Sequence, residues 1–408
     1  MTAATRLRAS GAVGFGLLPL LSAVTPLLVL PVVARTATMS EWAAVAVGQS
    51  IGAVAALALG GGYGLLGPAL AARGEPASVL RESVRVRTAG AAVVLPLAVT
   101  VAWLAPTTPH HLLTAVSAAS SALAGYSIAW LAVGTGRPAV LLWGEIAPRA
   151  AAAVVAAVAV AATGEVLAYP LCVLVAHLAT TYCLLTRAGT PPASRETSGP
   201  VTLLRRHAPV TAKELVDGCY SVGAAALAGL TAGAAAVGEF SAGYRTTTYL
   251  AVGIVATSST LQGWVLAADE SSYRARVRRA AGAHLAVGLI GGLGLAVAGD
   301  TVTRILFGAD LRASTGLLVP LGCFFALWSL ETLTSRYLLA PHGALRPLVA
   351  SSVCGLAVAV AVMPALAERH GAGGIAWAMT LGMLATLAWQ LPAALRAATA
   401  PPSTDSRG

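Results

Sequence analysis

The residues able to do chemistry in this chain are few, and they stand inside long apolar runs. In PVTAKELVDGCYSVGAAALAGLTAGAAAVGEFSAGYRTTTY (209–249), Lys213, Glu214 and Asp217 come first and Arg245 follows. Glu214, Asp217 and Ser221 fall three and four positions apart, so they share one face of a helix. Arg245 has Thr248 and Tyr249 on its own face by the same spacing. A later run holds Glu331, Ser335 and Arg336, and an earlier one holds Glu145 and Arg149 at i, i+4 with the acid placed first, the favourable order. An ionisable side chain near the middle of a bilayer costs roughly 2.5 to 3.5 kcal/mol on insertion scales, so such groups mark polar pathways or are paired. The carboxylates of Asp217, Glu214 and Glu331 suit exchange of H+ or Na+. The planar guanidinium of Arg245 suits the oxygens of a phosphate.

Other chemistry is excluded by what the sequence lacks. Lys213 is the sole lysine and sits in VTAKELV, outside any GxxxxGK[ST] loop, so no ATPase activity is expected. There is no HExxH or GxSxG motif, and His110 and His111 are neighbours in a short connection. No catalytic residue, cofactor or metal site is expected, and the chain reads as a non-enzyme. The five cysteines (Cys172, Cys183, Cys219, Cys323, Cys354) lie in apolar segments without a CxxC pair, which gives no disulfide framework.

The elements that must position these groups are membrane helices. The 408 residues are 57% hydrophobic and 10% charged, with a mean hydropathy of +0.78. Runs long enough to cross a bilayer occur at about 11–34, 42–66, 88–105, 112–133, 139–163, 166–186, 209–233, 240–266, 280–298, 315–340, 347–367 and 375–395. The net charge of +10 taken alone suggests nucleic acid, but its placement follows topology instead. Basic residues gather in alternate connections, such as Arg73, Arg81, Arg85 and Arg87, or Arg274, Arg276, Arg278 and Arg279. Only Arg35, Arg304, Arg312 and Arg369 fall in the others. By the positive-inside rule both termini are cytoplasmic.

The stretch RAGTPPASRETSGP (187–200) is the least helix-like cytoplasmic piece and reads as part of a linker between halves. The expected division is an N-terminal lobe over 1–186, a linker over 187–208, a C-terminal lobe over 209–396 and a disordered cytoplasmic tail over 397–408. SEWAAVAVGQS (40–50) and GEFSAGYRTTT (238–248) give the second helix of each half a similar acidic-aromatic start, pointing to parallel repeats. Pro19, Pro26 and Pro31 make the first helix bendable, and GGGYG (60–64) loosens the inner end of the second.

LPVVARTATMSEWAAVAVGQS (30–50), YSIAWLAVGTGRPAVLLWGEIAPR (126–149) and GEFSAGYRTTTYL (238–250) resemble three places in bacterial polysaccharide flippases. These are the helix 1 to helix 2 junction, the turn between helices 4 and 5, and the start of helix 8. The family exports lipid-linked oligosaccharides and belongs to the superfamily that also holds the multidrug extruders. The resemblance implies an all-α integral membrane protein of about 12 transmembrane helices in two six-helix bundles, forming a V that works by alternating access. It further implies a polyprenyl-diphosphate-linked glycan as cargo, moved from the inner to the outer leaflet of the bacterial plasma membrane, with Arg35 and Arg245 matching arginines that hold the diphosphate. One lysine in the whole chain departs from a strongly charged cavity. A multidrug-type H+ or Na+ antiporter of the same fold is the alternative, and a monomer is expected.

Overall fold

The computed structural model describes residues 29–73, 75–106, 109–188, 199–266 and 268–399. Among these residues the regular elements are all helices. In chain order they are α1 (29–36), α2 (Met39–Gly60), α3 (Tyr63–Arg73), α4 (Pro76–Trp103), α5 (His111–Ala122), α6 (Ala129–Thr135), α7 (Pro138–Leu141), α8 (Ala147–Thr163), α9 (Ala168–Ala188), α10 (Pro200–Ser221), α11 (Ala224–Gly229), α12 (Ala234–Leu250), α13 (Val252–Leu266), α14 (Glu270–Phe307), α15 (Thr315–Leu333) and α16 (Leu345–Ala397). A 3-10 turn, Leu123–Tyr126, follows α5, and π-helical segments, Leu142–Ile146 and Thr334–Leu339, follow α7 and α15. Eight stretches of the described helices are long and apolar enough to cross a bilayer. Val154, Val155 and Val158 on α8, and Ile290 and Val297 on α14, are more than half exposed. Apolar surface of that extent suits acyl chains and not water.

Local chemistry sets several boundaries. Thr38 caps α2: its hydroxyl accepts from the Glu41 amide at 3.3 Å, and the Glu41 carboxylate accepts from the Thr38 amide at 2.8 Å. At its other end α2 closes on Gly61 (φ 59°) and Gly62 (φ 77°), left-handed positions that a side chain would resist. α16 is two arms meeting at Gly371 (φ 54°), which separates the spans expected at 347–367 and 375–395. Glu239, in the second acidic-aromatic start, accepts from the amide of Ser314 at 2.9 Å and so caps α15 in place of its own helix.

Several expected spans come out differently. The helix expected at 88–105 begins at Pro76, because proline at the first helical position needs no amide partner there. The helix expected at 209–233 begins at Pro200 and breaks at Val222 and Gly223, and the one at 240–266 is interrupted at Ala251. Most of the first span, with Pro19 and Pro26, lies outside the described residues, as do 189–198 and the tail from 400.

The chain clusters into two compact units, which divide between Leu230 and Thr231. α10 and α11 therefore group with the first unit, although the linker composition placed the lobe division at 187–208. The Ser50 hydroxyl of α2 is one link in that grouping: it donates to the carbonyl of Val222 at 2.6 Å and accepts from the amide of Ala226 at 3.0 Å. A linker marks a feature of the chain, whereas compactness follows packing.

Small residues bring helices together within each unit. In the first, a side chain at Gly48 or Gly52 would strike the backbone of α5 at Thr114 or Ala118. In the second, Gly292 of α14 and Gly322 of α15 meet backbone to backbone. Lipid competes poorly with such contacts because close approach gains dispersion along the whole seam.

Candidate functional site

A polar cluster in the first unit is built around an arginine that the sequence places in a loop. Because α4 starts at Pro76, Arg87 falls inside it, on the face that also buries Ser83, Val84 and Val86. Arg87 is 2% exposed. Its Nη1 donates to the carbonyl of Ser127 at 2.9 Å. The guanidinium carbon lies 5.6 Å from the ring centre of Tyr63 and 5.9 Å from that of Trp130. Such cation–π contacts gain strength where water is excluded. The Tyr63 hydroxyl is itself turned to Glu82, donating at 2.9 Å, and its ring meets His207 edge-on at 5.0 Å.

Ser127 and Ile128 form the break between the 3-10 turn and α6, where backbone groups lack helical partners. Charged side chains supply those partners from two sides. Arg87 takes the Ser127 carbonyl, while one oxygen of Glu145 accepts from the Ser127 hydroxyl at 2.9 Å and the Ile128 amide at 3.1 Å. Glu145 is 7% exposed, and its other oxygen pairs with Arg149 Nη1 at 2.8 Å. It lies on the π-helical segment, whose wider turn is often found at functional positions.

Next to this pair is a cavity of about 290 Å³ within the first unit. Val29, Leu141, Ile146 and Val173 make its walls mainly apolar, with Glu145, Arg149 and Tyr169 as polar members. A smaller space of about 30 Å³, bordered by Glu145, Arg149, His177 and Thr180, adjoins the same pair. Both ring nitrogens of His177 and Nε of Arg149 are buried without a hydrogen-bond partner. An apolar chamber with a guanidinium and a carboxylate at one side can hold an amphipathic group by its polar end.

Solved structures resemble the chain over nearly its whole length. With the lipid II flippase MurJ in an inward closed conformation the TM-score is 0.70 at 10% identity, over 94% of this chain and 87% of that one. With an inward-facing multidrug resistance MATE family transporter of the MOP superfamily it is 0.67 at 15% identity, over 91% and 94%. The chain shares its fold with these transporters. The MATE multidrug transporter DinF-BH, in complex with R6G, adds a TM-score of 0.60 at 13% identity over 97% of each chain. No protein-family model matches the sequence, and no curated protein matches it.

The fold distributes the expected site residues between the two units. Arg35 is exposed in the last turn of α1, and Glu214 is half-buried on α10 in the first unit. A side chain built at Gly64 would come within 2.9 Å of Glu214 Oε1, so that carboxylate lies over α3. The charge of Glu214 also reaches Arg87, as does that of Glu145. The side chains of Lys213 and Asp217 lie outside the described residues.

In the second unit Arg245, Thr248 and Tyr249 are half-buried on α12, and the Thr248 hydroxyl donates to the Arg245 carbonyl at 2.8 Å. Glu331 stands at the end of α15, where Gln390 Nε2 donates to it at 3.5 Å. Gln390 is fully buried, and its amide nitrogen also donates to the Ser351 hydroxyl at 3.0 Å. Thus Glu331 has a buried amide for a neighbour, Glu214 is tied to the Arg87 cluster, and Arg245 shares α12 with its hydroxyl companions. The Arg87, Tyr63 and Trp130 cluster was missed by sequence reasoning. The signal available for it was Pro76, which starts the helix early enough to carry RESVRVR inward.

Proposed function

We propose that this chain is a membrane transporter that flips a polyprenyl-diphosphate-linked oligosaccharide or polysaccharide precursor from the inner to the outer leaflet of a bacterial plasma membrane. It works by alternating access between two six-helix lobes divided at 187–208, draws on an H+ or Na+ gradient, acts as a monomer and keeps both termini in the cytoplasm. The observation that carries this reading is the likeness to a lipid II flippase along 94% of the chain. Its basic groups support it: 25 of the 26 are arginines, whose forked donors hold diphosphate oxygens in pairs. A diphosphate and sugars need a polar lining to cross hydrocarbon, whereas the prenyl tail can stay in lipid.

Arg35 and Arg245, with Thr248 and Tyr249, are proposed to contact the head group. Asp217, Glu214 and Glu331 are proposed to exchange the coupling ion. The second reading is an H+ or Na+ coupled multidrug antiporter. The MATE likeness, at a TM-score of 0.67, favours it, together with a carboxylate, Glu331, seated beside the Gln390 amide.

Binding separates the two. Purified protein in nanodiscs is titrated with a polyprenyl-diphosphate oligosaccharide and, separately, with the drug cation ethidium, following tryptophan fluorescence and native mass. Saturable binding of the diphosphate lipid that weakens at least tenfold in Arg245→Ala, with no binding of ethidium, is the expected outcome. Binding of ethidium alone would hand the site to the antiporter reading.

A further inference from the structure

The first unit contains two helix breaks at one depth. α2 and α5 run parallel and in register: Gly48 faces Thr114 and Gly52 faces Ala118, each 66 positions on. Past the breaks the same register continues between α3 and α6, where Pro68 faces Gly134, again 66 positions on. The breaks obey that offset too, since Gly61 and Gly62 between α2 and α3 correspond to Ser127 and Ile128 between α5 and α6. Two adjacent helices are therefore interrupted side by side, and their far ends, α3 and α6, stay closely packed on each other. A side chain at Gly67 would meet the Trp130 ring at 2.7 Å, and one at Gly134 the backbone of Pro68 at 2.6 Å.

We infer that α3 and α6 form one hinged body that swings about the line through Gly61–Gly62 and Ser127–Ile128, latched by Arg87 and Glu145. The inference stands on the first unit alone and does not depend on which cargo is moved. Two features make the line a hinge. Gly61 and Gly62 already occupy positive φ, so the backbone there has the widest range of alternatives. At the other break, the Ser127 carbonyl and Ile128 amide are bonded to side chains in place of the helical ladder. Bonds to Arg87 and Glu145 can open without unwinding either helix.

The latch holds both members of the body. Arg87 sits against Tyr63 at the start of α3 and Trp130 in α6, while it stands on α4, outside the moving pair. Glu145 likewise grips the break from the π-helical segment. Released, α3 and α6 move together because the close contacts between them, Gly67 against the Trp130 ring and Gly134 against the Pro68 backbone and the Ala71 side chain, lie within the pair and a rotation of the pair leaves them intact. Few elements that move in a helical membrane protein are expected to be loose helices; most are packed bodies joined at a small number of residues.

The test places spin labels on the exposed positions Val133 (α6) and Val158 (α8), in a background whose five cysteines are serine, and measures the distance distribution by pulsed EPR in nanodiscs. The pair Leu112 (α5) and Val158 is the reference. Variants are Glu145→Gln, which weakens the latch, and Ser127→Ala, which removes one bond to Glu145 together with the bond its hydroxyl accepts from the Ala129 amide, and leaves every charge in place. The Val133 distribution is expected to shift or gain a second population in both variants while the Leu112 distribution stays fixed. In parallel, amide exchange over Ile128–Ala132 should rise about tenfold, with α5 unchanged. A single unchanged Val133 distance in the variants, or equal change at Leu112 and across α5, would overturn the hinge, the latter by showing general loosening. If Glu145→Gln does not fold, Ser127→Ala alone decides between these outcomes.

Discussion

Replacing Arg87 by alanine tests whether a basic residue that topology counting assigns to a loop is a structural centre of the first unit. The substitution removes a charge-assisted hydrogen bond to the Ser127 carbonyl, worth about 1.5–3 kcal/mol. It also removes contacts with the rings of Tyr63 and Trp130, worth about 0.5–2 kcal/mol each. Against this, a buried charge whose Nε has no partner is no longer desolvated, which returns part of the loss. The hydrogen bond and the two rings outweigh that return, leaving a net destabilisation of about 3 kcal/mol. For a chain of this size such a change lowers the melting temperature by on the order of 5 °C. The assay is thermal unfolding of the detergent-solubilised protein followed by size-exclusion fluorescence. Arg85→Ala, on the same helix but half-buried, is the comparison. Arg87→Lys keeps the charge but loses the planar fork and should fall between the two. A melting temperature for Arg87→Ala within 1 °C or so of Arg85→Ala would refute the reasoning, since buried charge-assisted bonds cannot be lost at that level without cost.

Gly52→Leu should part α2 from α5, because its first side-chain atom would collide with the Ala118 carbonyl oxygen; a loss of at least about 2 kcal/mol is expected. Gly60→Ala, which meets nothing within 4 Å, should leave the melting temperature unchanged or raise it. Asp269 caps α14 outside the membrane, and bonds from Ser272 and Ser271 hold its carboxyl below the ordinary carboxylate value. A depressed folded-state value means the cap is fully present above the unfolded value of about 3.9 and is lost as pH falls through the folded one. Amide protection in the first turn of α14 should therefore drop between pH 5 and pH 2 and stay flat in Asp269→Asn; equal protection at both ends in the natural protein would contradict it. Asp217→Asn should change the pH or Na+ dependence of transport, and an unaltered dependence on both would remove Asp217 from ion coupling.

Long apolar runs were readable because the bilayer fixes their length. The span expected at 315–340 is observed as α15 and its π-helical end, Thr315–Leu339, and that at 139–163 as Pro138–Thr163. The Glu145 and Arg149 pair was also readable, since i, i+4 spacing survives even where the turn widens. Arg87 was not, because counting basic residues by loop treats every arginine near an apolar run as solvated. Here Tyr63 and Trp130, 24 residues before it and 43 after, complete its surroundings. No local pattern announces a partner at that separation. The GGGYG run showed where α2 loosens, but the matching break at Ser127 and Ile128 has no glycine and is made by distant charges. Arg245 and its hydroxyl neighbours were placed on one face by spacing, and α12 keeps them there.

The most direct measurement of the proposed activity is flipping in reconstituted vesicles. Protein is incorporated into liposomes carrying a fluorescent polyprenyl-diphosphate oligosaccharide on both leaflets, and the fraction open to a membrane-impermeant quencher is followed with time. A flippase moves the protected inner-leaflet pool outward, so quenching passes the level set by the outer leaflet and approaches completion; protein-free vesicles stop at about half. A plateau at half in the presence of folded protein, with and without an imposed H+ or Na+ gradient, would contradict the account.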